Sequence, residues 1–409
     1  MRILHTADWH LGDRLGRIDR TPDLRRSVER IADYCRTESV DVLLVAGDIF
    51  SELSRLDDLR ESIEHLEQVF EPFLLGGGTV LALTGNHDNE NFCQTLQLVM
   101  NLAAPAAGGL GELRPAGRFY LATHPTFLRL AGKDGSEVQF VLMPYPTPSR
   151  YLEDGTAQRY TTLEERNRQL QQGYARRLAE LQQHPKYQVS LPTVLSAHVH
   201  VQGAALPSLF RISEEESIIL PAEDVAADFA YVALGHIHQP QCLLGRQHVR
   251  YSGSIERLDM GEARDEKSVT LFDIGPNGRQ SEPRQMPLPA TRLYDVKLHT
   301  PLVDDLARLR QQHPDAPDDL VRIEFTYTAG VDNLEATLRE LDEIFPRWYA
   351  RNWTEANALD GTLTVGPARG RSFQDTVRDY LNQELMNHPD PDRDAILAQA
   401  ETLMKEIQA

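Results

Sequence analysis

Up to about residue 273, short apolar runs alternate with amphipathic stretches of helical length. Continuous apolar runs bounded by polar residues or glycine are typical of strands that are buried on both faces. These runs predict strands at residues 2–6, 42–46, 79–83, 137–143, 193–197, 230–234 and 268–274. Apolar residues at the helical period predict helices at residues 23–35 and 56–70. Strands that alternate with helices in this order predict an α/β fold with a layered sheet.

The alternation of strands and helices is interrupted in two places. Residues 161–184 form a polar helical stretch that indicates an insertion. Residues 275–290 are rich in proline and glycine and carry the strongest linker signal in the chain. The segments after the linker alternate again, with strands predicted at 292–299 and 320–328 and helices predicted at 302–311 and 333–344. We therefore predict domains at residues 1–274 and 291–370, joined by a linker at 275–290 and followed by C-terminal helices at 371–409.

Polar side chains with metal-binding chemistry follow several predicted strands where each strand ends. They are, in chain order, Asp8, His10, Asp48, Asn86, His87, Asp88, His198, His236 and His238. In an open α/β sheet, ligands bind at the edge formed by the carboxyl ends of the parallel strands. We therefore expect these side chains to converge on one site.

The residue types and their spacing favour a metal centre with more than one ion. Residues i and i+2 of an extended segment face the same way, roughly 6.6 Å apart, so Asp8 and His10 can bind one ion while His236 and His238 reach neighbouring ions. Imidazole, carboxylate and carboxamide ligands suit Mn²⁺, Fe²⁺ or Zn²⁺, and the chain has no Cys-x-x-Cys. The set is too large for one ion. It fits two ions about 3.5–4 Å apart, which clamp a phosphate and generate hydroxide near neutral pH.

Each of these signals has a simpler explanation when it is taken alone. Asp-x-His and Gly-Asp occur by chance in turns and at helix starts, and Asn86 is also compatible with a left-handed turn. The metal hypothesis depends on their joint occurrence after apolar strands. His198 and His200 are alternative ligands, and we favour His198 because it lies closer to the strand end. His5, inside the first predicted strand, is expected to be a core histidine.

The motifs resemble those of the calcineurin-like metallophosphoesterases. The residues that carry the resemblance are Asp8-x-His10, Gly47-Asp48, Gly85-Asn86-His87-Asp88, Ala197-His198 and Gly235-His236-x-His238. The segments that make the SbcD family of repair nucleases the closer match are Thr6-Ala7-Asp8-Trp9-His10-Leu11-Gly12, Ala46-Gly47-Asp48-Ile49-Phe50 and Tyr251-Ser252-Gly253-Ser254. The resemblance is specific through about residue 273 and extends to the C-terminus only in layout. The implied fold is α/β, a metallophosphoesterase layered β-sandwich flanked by helices, followed by a small α+β capping domain and C-terminal helices.

The resemblance also implies a role for each strand-end residue. One metal ion would be held by Asp8, His10 and His238. The second would be held by Asn86, His198 and His236, with Asp48 bridging both ions. The implied cofactors are two divalent metal ions, with Mn²⁺ expected.

Two further residues are implied to take part in catalysis. His87 resembles the family's catalytic histidine, which stabilises charge on the phosphate or protonates the leaving 3′ oxygen. Asp88 would orient His87 or a neighbouring ligand. Some members carry another histidine three residues after the bridging aspartate, and Ser51 stands there in this chain.

The implied activity is that of a metal-dependent DNA nuclease, with 3′-to-5′ exonuclease action on duplex ends and endonuclease cuts in single strands or hairpins. The chain has no Gly-x-x-x-x-Gly-Lys-[Ser/Thr] loop, so ATP hydrolysis would belong to a partner. Two alternatives stay open. The first is a phosphoprotein phosphatase or cyclic-nucleotide phosphodiesterase with the same site, and the extra domain counts against it. The second is a catalytically silent scaffold that binds DNA ends, and the intact ligand set counts against it.

The charge of the chain constrains how it would bind DNA. Its 42 Lys+Arg and 61 Asp+Glu give a net charge of −19, which argues against a protein that coats phosphates. Bound metal ions would neutralise part of this charge, at Asp8 and Asp48. Arg14 and Arg17 follow the first motif and are candidates for contacts to the DNA backbone, with a solvated loop surface as the equal alternative. We expect weak and salt-sensitive DNA binding by the chain alone.

The C-terminal helices are candidates for a protein interface. Their apolar stripes include Phe373, Val377, Leu381, Leu397, Leu403 and Ile407. Packing onto the chain's own small domain is the simpler alternative. The resemblance implies instead that this segment binds the coiled-coil base of an SbcC-like SMC-type ATPase, in a heterotetramer built on a homodimer. Residues 91–104 are the candidate dimer helix.

The cysteine content and the lack of apolar spans bear on the compartment. Cys35, Cys93 and Cys242 are few and far apart, which predicts no disulfide framework and a reducing, cytoplasmic compartment. No apolar stretch reaches the roughly 18 residues that a membrane helix needs. The N-terminus lacks the apolar core of a signal peptide.

Overall fold

The computed structural model of the chain describes residues 1–103, 109–152, 160, 162–206, 218–225, 229–299, 302–313 and 316–356. The predicted C-terminal helices lie outside the described residues. The same holds for the six residues of their apolar stripes, which are Phe373, Val377, Leu381, Leu397, Leu403 and Ile407.

Within these ranges the longer helices fall close to their predicted positions, whereas two four-residue helices were not predicted. They are α1 (Thr21–Thr37), α2 (Leu56–Leu75), α3 (Glu90–Ala103), α4 (Pro148–Tyr151), α5 (Leu163–Gln182), α6 (Ala222–Val225), α7 (Leu302–Gln312) and α8 (Leu334–Ile344). None of the helices in the described part of the chain combines the length and the apolar character needed to cross a bilayer.

The strands include every one that the apolar runs predict, together with several short ones. The first ten are β1 (Arg2–Thr6), β2 (Arg14–Leu15), β3 (Ile18–Asp19), β4 (Val42–Ala46), β5 (Thr79–Leu83), β6 (Phe119–Ala122), β7 (Thr126–Ala131), β8 (Glu137–Met143), β9 (Thr193–His198) and β10 (His200–Val201). The others are β11 (Ile219–Leu220), β12 (Tyr231–Gly235), β13 (Gln241–Leu243), β14 (Arg246–Tyr251), β15 (Ser268–Gly275), β16 (Gly278–Arg279), β17 (Arg284–Pro287), β18 (Leu293–Leu298), β19 (Leu320–Tyr327) and β20 (Trp348–Glu355).

The first large sheet has the N-terminal strands at its centre. Its order is β16-β15-β1-β4-β5-β6, and β17 also pairs with β15. β1, β4, β5 and β6 are parallel, whereas β15 is antiparallel to β1. Every residue of β4 and β5 is buried, which explains why both strands are continuous apolar runs in the sequence.

The second large sheet has the order β13-β14-β12-β9-β8-β7. Its four central strands, β14, β12, β9 and β8, are parallel. The edge strands β13 and β7 are antiparallel to their neighbours. Each sheet therefore has a group of parallel strands whose carboxyl ends can carry ligands.

The two sheets pack face to face, with helices on their outer faces. Leu44 and Leu81 of the first sheet share one core cluster with Phe140 and Val194 of the second. The outer face of the first sheet packs against α1 and α2, and that of the second packs against α5. Full burial of side chains of this size contributes about 1.5–3 kcal/mol each. These layers confirm the predicted α/β sandwich flanked by helices.

Residues 275–290 differ from the predicted linker. β15 extends to Gly275, and both β16 and β17 fold back to pair with it in antiparallel register. Gly278 has a φ of 99° in the turn, which glycine adopts without strain. Pro287 ends β17 at the edge of the sheet, where a missing N–H is tolerated. The prolines and glycines therefore mark the turns of a sheet edge that is part of the sandwich.

A small three-stranded sheet follows the sandwich in the order β18-β19-β20. Val296, Leu306, Ile323, Leu341 and Phe345 form its core together with α7 and α8. These elements match the α+β arrangement that the sequence predicts there. This small sheet contacts the turn between β2 and β3, because the guanidinium of Arg17 lies 3.9 Å from the ring centroid of Trp348.

Candidate metal centre

The loops that follow β1 and β4 run side by side beyond the ends of their strands. The amide of Asp8 donates to the carbonyl of Gly47 at 3.0 Å, and the amides of Trp9 and His10 donate to the carbonyl of Asp48 at 2.8 and 3.0 Å. These bonds continue the parallel pairing of β1 with β4. They hold Asp8, His10 and Asp48 at the same end of the first sheet.

The second sheet meets the first at this same end. His198 ends β9 and lies opposite Gly235 in the register of β9 and β12. The Nδ1 of His198 lies 2.7 Å from the carbonyl oxygen of Ala46, and the amide of His236 donates to Asp8 Oδ1 at 2.9 Å. The strand ends of both sheets are therefore hydrogen-bonded to each other, and the predicted site residues lie at the junction.

Two glycines of the motifs permit this close approach. A Cβ on Gly47 would lie 2.2 Å from the Nδ1 of His198, and the φ of Gly47 is +94°. A Cβ on Gly85 would lie 2.0 Å from Oδ1 of Asp48. Neither approach leaves room for a side chain, so the glycines are needed for the positions of Asp48 and His198.

The backbone of the site is strained. Among the described non-glycine residues, six have a positive φ, and four of these are the site residues Asp8 (54°), His10 (47°), Asp48 (50°) and His236 (93°). Such conformations cost about 1–3 kcal/mol each and persist only where the surrounding structure enforces them. Strain of this kind concentrates at functional sites.

Asp8, His10 and His238 form the first group of potential ligands. Their donor atoms all lie within 4.8 Å of one another. The Nε2 atoms of His10 and His238 are 3.3 Å apart, and Oδ2 of Asp8 is buried without a hydrogen-bond partner. A cation that accepts lone pairs from these three atoms would satisfy all of them.

Asn86, His198 and His236 form the second group. Oδ1 of Asn86 lies 3.0 Å from the Nε2 of His198 and 2.9 Å from the Nδ1 of His236. The Nε2 of His236 is buried and has no hydrogen-bond partner. Oδ2 of Asp48 lies 3.1 Å from the Nε2 of His198 and 3.7 Å from the Nε2 of His10, so its carboxylate reaches both groups.

The pKa values of Asp48 and His198 are shifted in opposite directions by their mutual contact. Burial lowers the pKa of His198, but the carboxylates of Asp48 and Asp8 outweigh it and raise that pKa to about 9. Burial raises the pKa of Asp48, but the imidazole of His198 outweighs it and holds that pKa well below its ordinary value. A divalent ion at this position would therefore compete with a proton on His198.

His87 lies at the rim of the cluster, next to a cavity of about 640 Å³ that its side chain helps to line. Its amide donates to Oδ1 of Asp48 at 2.8 Å, and its ring centroid lies 4.9 Å from that of His10. Its Nδ1 lies 3.3 Å from Oε2 of Glu52, a residue that the sequence analysis missed. The side chain is 15% exposed, which leaves it within reach of a substrate.

The carboxylate of Asp88 contacts backbone amides of the loops that carry the predicted site residues. Its two carboxylate oxygens accept hydrogen bonds from the amides of Phe50 and Gly85, each at 2.8 Å. Burial, together with the nearby carboxylate of Asp48, raises the pKa of Asp88 to about 6. Asp88 therefore holds together the two loops that carry Asp48 and His87.

Two buried charged residues lie behind His238 and were not predicted from the sequence. Oε1 of Glu262 lies 2.7 Å from the Nδ1 of His238, and Lys267 donates to Oε2 of Glu262 at 2.7 Å. Ser254, the last residue of the Tyr251-Ser252-Gly253-Ser254 segment, donates to the same Oε2 at 2.8 Å. That motif is the only signal in the sequence near this cluster, because Glu262 and Lys267 lie in a polar stretch without periodicity.

The remaining candidates lie outside the cluster. His200 belongs to β10, which pairs with β11, so the contacts with Asp48 and Asn86 belong to His198. His5 is buried in β1, with its Nδ1 3.2 Å from the hydroxyl of Tyr231, as expected for a core histidine. Ser51 donates to Oδ1 of Asp13 at 3.1 Å.

The two candidate DNA-binding arginines lie in the β2–β3 hairpin. Both side chains are exposed. Arg17 donates to the carbonyl oxygens of Pro346 and Trp348 at 2.8 and 3.0 Å, so two of its five N–H groups bind the start of β20 and the residues just before it. Arg14 donates to the carbonyl oxygen of Arg17 at 3.2 Å.

The donor set suits divalent metal ions. It combines carboxylate, imidazole and carboxamide groups in two groups joined by Asp48. Two of its buried atoms, Oδ2 of Asp8 and Nε2 of His236, have no protein partner. Buried polar atoms without partners are rare in native proteins, and a metal ion is one accepted explanation.

Comparison with known proteins gives one family and several relatives. Residues 1–240 match the model of the calcineurin-like phosphoesterases. The chain is 30% identical over 335 residues to the SbcD subunit of the nuclease SbcCD from Rhodobacter capsulatus, covering 78% of this chain and 77% of that protein. It is 28% identical over 285 residues to the SbcD subunit from Bacillus subtilis, covering 68% and 67%. It is 26% identical over 365 residues to the protein of the same name in Escherichia coli K12, covering 85% and 83%.

Proposed function

Because the chain belongs to the calcineurin-like phosphoesterase family, and within it to the SbcD subunits of nucleases, we propose that it hydrolyses phosphodiester bonds of DNA with two divalent metal ions. The observation that carries the proposal is the convergence of two ligand groups on the carboxylate of Asp48. A two-metal site of this kind can act on phosphate esters in general. The similarity to SbcD subunits favours DNA as the substrate.

Each of the two ligand groups would bind one ion. One ion would be held by Asp8, His10 and His238, and the other by Asn86, His198 and His236, with Asp48 shared. When bound, the ions supply positive charge for the phosphate and lower the pKa of water to near neutrality. We propose Mn²⁺ as the metal.

His87 is the proposed catalytic acid. Its position at the rim of the cluster, with partial exposure, would let it meet a leaving oxygen. The contact with Glu52 would hold its ring in place, and Asp88 would hold the loop that carries it. The reactions we propose are 3′-to-5′ exonuclease action on duplex ends and endonuclease cuts in single strands or hairpins.

The proposed assembly includes a second copy of this chain and an SbcC-like ATPase. The names of the relatives describe one component of the nuclease SbcCD. The apolar stripes at residues 371–409 are the proposed ATPase contact. We propose α3 for the homodimer contact, because Leu98, Val99 and Leu102 are exposed there and Leu102 is 82% exposed. A cytoplasmic location belongs to the same proposal, and the free thiols of all three cysteines fit it.

The decisive experiment compares DNA with a small phosphate diester as the substrate. End-labelled duplex and hairpin DNA are incubated with Mn²⁺ or Mg²⁺, with and without the ATPase and ATP, beside a small phosphate diester. We expect cleavage of DNA that requires the metal. Cleavage of the small diester alone would favour a phosphatase or cyclic-nucleotide phosphodiesterase. DNA-end binding without any cleavage would favour the silent scaffold.

A further inference from the structure

We propose that Glu262 and Lys267 form a buried ion pair that positions His238 for metal binding. The inference rests on the proposed function, because it takes His238 as a ligand. Neither residue belongs to the predicted ligand or catalytic set. Their role would be to hold the ring and the backbone of His238, and neither would contact the ion or the substrate.

Glu262 sets the hydrogen bonding of the His238 ring. The residue is 0% exposed, and its Oε1 lies 2.7 Å from the Nδ1 of His238. A carboxylate only accepts hydrogen bonds, so the Nδ1 must donate. In the neutral ring the Nε2 then keeps its lone pair, and it is the Nε2 that lies 3.3 Å from the Nε2 of His10. An acceptor behind a ligating histidine orients the ring and raises its basicity.

Lys267 holds Glu262 and the backbone of His238 at once. Its Nζ donates to Oε2 of Glu262 at 2.7 Å, to Oδ2 of Asp265 at 3.1 Å and to the carbonyl oxygen of His238 at 2.9 Å. The three bonds use all three protons of the ammonium group. The residue is only 2% exposed, so these bonds are shielded from water.

The position of the pair in the fold explains why charge is used here. His238 follows β12 of the second sheet, whereas Lys267 directly precedes β15 of the first sheet. The ion pair therefore joins the two sheets next to the first ligand group. A buried ion pair is weak evidence for stability, because apolar replacements are often neutral or stabilising. Apolar side chains could not accept a hydrogen bond from the Nδ1 of His238. The positioning role requires such an acceptor, whereas a purely structural role does not.

The test measures metal binding on the full chain, freed of metal, with Mn²⁺ as the probe. Glu262→Gln keeps the shape but replaces the carboxylate. The matched control is Glu256→Gln, because Glu256 is equally buried nearby but bonds the backbone of Arg257 and Thr291. Titration followed by the spin resonance of free Mn²⁺ gives the stoichiometry and both dissociation constants. We expect one ion to bind about 10–100-fold more weakly in Glu262→Gln, with the other ion and the control unchanged.

A second variant covers a failure of Glu262→Gln to fold. Ser254→Ala removes the hydroxyl that contacts Oε2 of Glu262 and the carbonyl oxygen of Glu256, and it keeps the amide that donates to the carbonyl oxygen of His238. We expect a smaller loss of affinity for the same ion. If the pair is purely structural, the metal-free variants should unfold at a lower midpoint while both Mn²⁺ dissociation constants stay at the wild-type value. That result would overturn the proposal.

The outcome is separable from that of the proposed function. A wild-type protein that binds two Mn²⁺ ions but cuts no DNA would defeat the proposed nuclease, while weaker binding in Glu262→Gln would still support the positioning role. Conversely, a wild-type nuclease whose Glu262→Gln variant binds both ions with unchanged affinity would defeat only the positioning role.

Discussion

The Nε2 atoms of His10 and His238 lie 3.3 Å apart although the two residues are separated by 228 positions in the chain. Two neutral imidazoles that face each other with these atoms need a proton or a cation between them. The buried Oδ2 of Asp8, which has no hydrogen-bond partner, belongs to the same group. Folding of the protein should therefore be coupled to metal binding.

We expect Mn²⁺ to stabilise the folded protein. A ligand present at 100 times its dissociation constant, bound only by the folded state, adds about 2.7 kcal/mol per site to the free energy of unfolding. His238→Ala should lose most of the contribution of one site, because it removes a ligand. The measurement is urea unfolding with Mn²⁺ and with a chelator. His299→Ala is the control, since this side chain is 82% exposed on the small sheet. Equal stabilisation of His238→Ala and wild type would contradict the assignment.

Replacement of His87 by glutamine should separate catalysis from metal binding. Loss of a positioned general acid lowers the rate by about 10²–10⁴-fold. Mn²⁺ affinity should stay unchanged, because the backbone amide that binds Asp48 is retained in the variant. The measurement combines single-turnover cleavage of labelled DNA with Mn²⁺ titration. Unchanged cleavage would remove His87 from the mechanism and revive the silent-scaffold alternative.

Gly85→Ala should disrupt the metal centre through a single methyl group. The added Cβ would lie 2.0 Å from Oδ1 of Asp48, so the shared carboxylate has to move. We expect Mn²⁺ affinity to fall for both ions. Gly109→Ala is the matched control, because a Cβ there meets nothing within 4 Å and neither glycine needs a positive φ. The prediction is wrong if the two variants bind Mn²⁺ alike.

His5 should make stability depend on pH. Burial, followed by the charge of Arg250, lowers the pKa of this histidine to about 3. In the unfolded chain it titrates near its ordinary value of about 6.5. Below that pH the imidazole of His5 is protonated in the unfolded state and stays neutral in the folded state. The free energy of unfolding that is present above pH 6.5 therefore decreases as the pH falls toward 3. The slope is up to about 1.4 kcal/mol per pH unit.

The test of this pH dependence compares urea unfolding of wild type and His5→Phe between pH 5 and 7, in chelator to remove metal linkage. The variant should show the shallower dependence. His299→Gln should match wild type, because that histidine is exposed. Parallel curves for His5→Phe and wild type would refute the role of His5.

Charge removal in the β2–β3 hairpin should alter the salt dependence of DNA binding. Each lost phosphate contact reduces the slope of log K against log salt by about 1. We expect this change for Arg14→Gln, because Arg14 is exposed next to the first motif. Arg60→Gln is the control, since Arg60 pairs with Glu64 on α2. Arg17→Gln should also loosen the small sheet, because Arg17 bonds Pro346 and Trp348. Unchanged slopes in both hairpin variants would exclude a DNA contact.

The strands buried on both faces were predictable from the sequence alone. β4 and β5 match their predicted bounds because uniform burial makes each a continuous apolar run between polar or glycine residues. The convergence of the polar residues at the strand ends was predictable for a related reason. Parallel strands end at one edge, so polar residues just after such runs come together.

Elements such as β14 and β20 were not predictable because their patterns are set by distant partners. β20 is half-exposed to fully exposed and shows no clear alternation. β14 begins with three polar residues and is buried only in its second half. Glu262 and Lys267 owe their burial to each other and to His238, and no spacing rule connects charges that meet only after two sheets have packed.

The pairing of β1 with β15 joins two strands that are made far apart in time during protein synthesis. The first strand leaves the ribosome long before its partner at Ser268–Gly275 has been made. At 5–20 residues per second, translation needs roughly 15 to 55 s to reach that point. Throughout that interval the nascent chain lacks one neighbour of its first strand, and until residue 238 has been made it also lacks at least one of His198, His236 and His238. The first sheet, and with it the junction that holds the polar strand-end residues, can therefore be completed only after Ser268–Gly275 has been made.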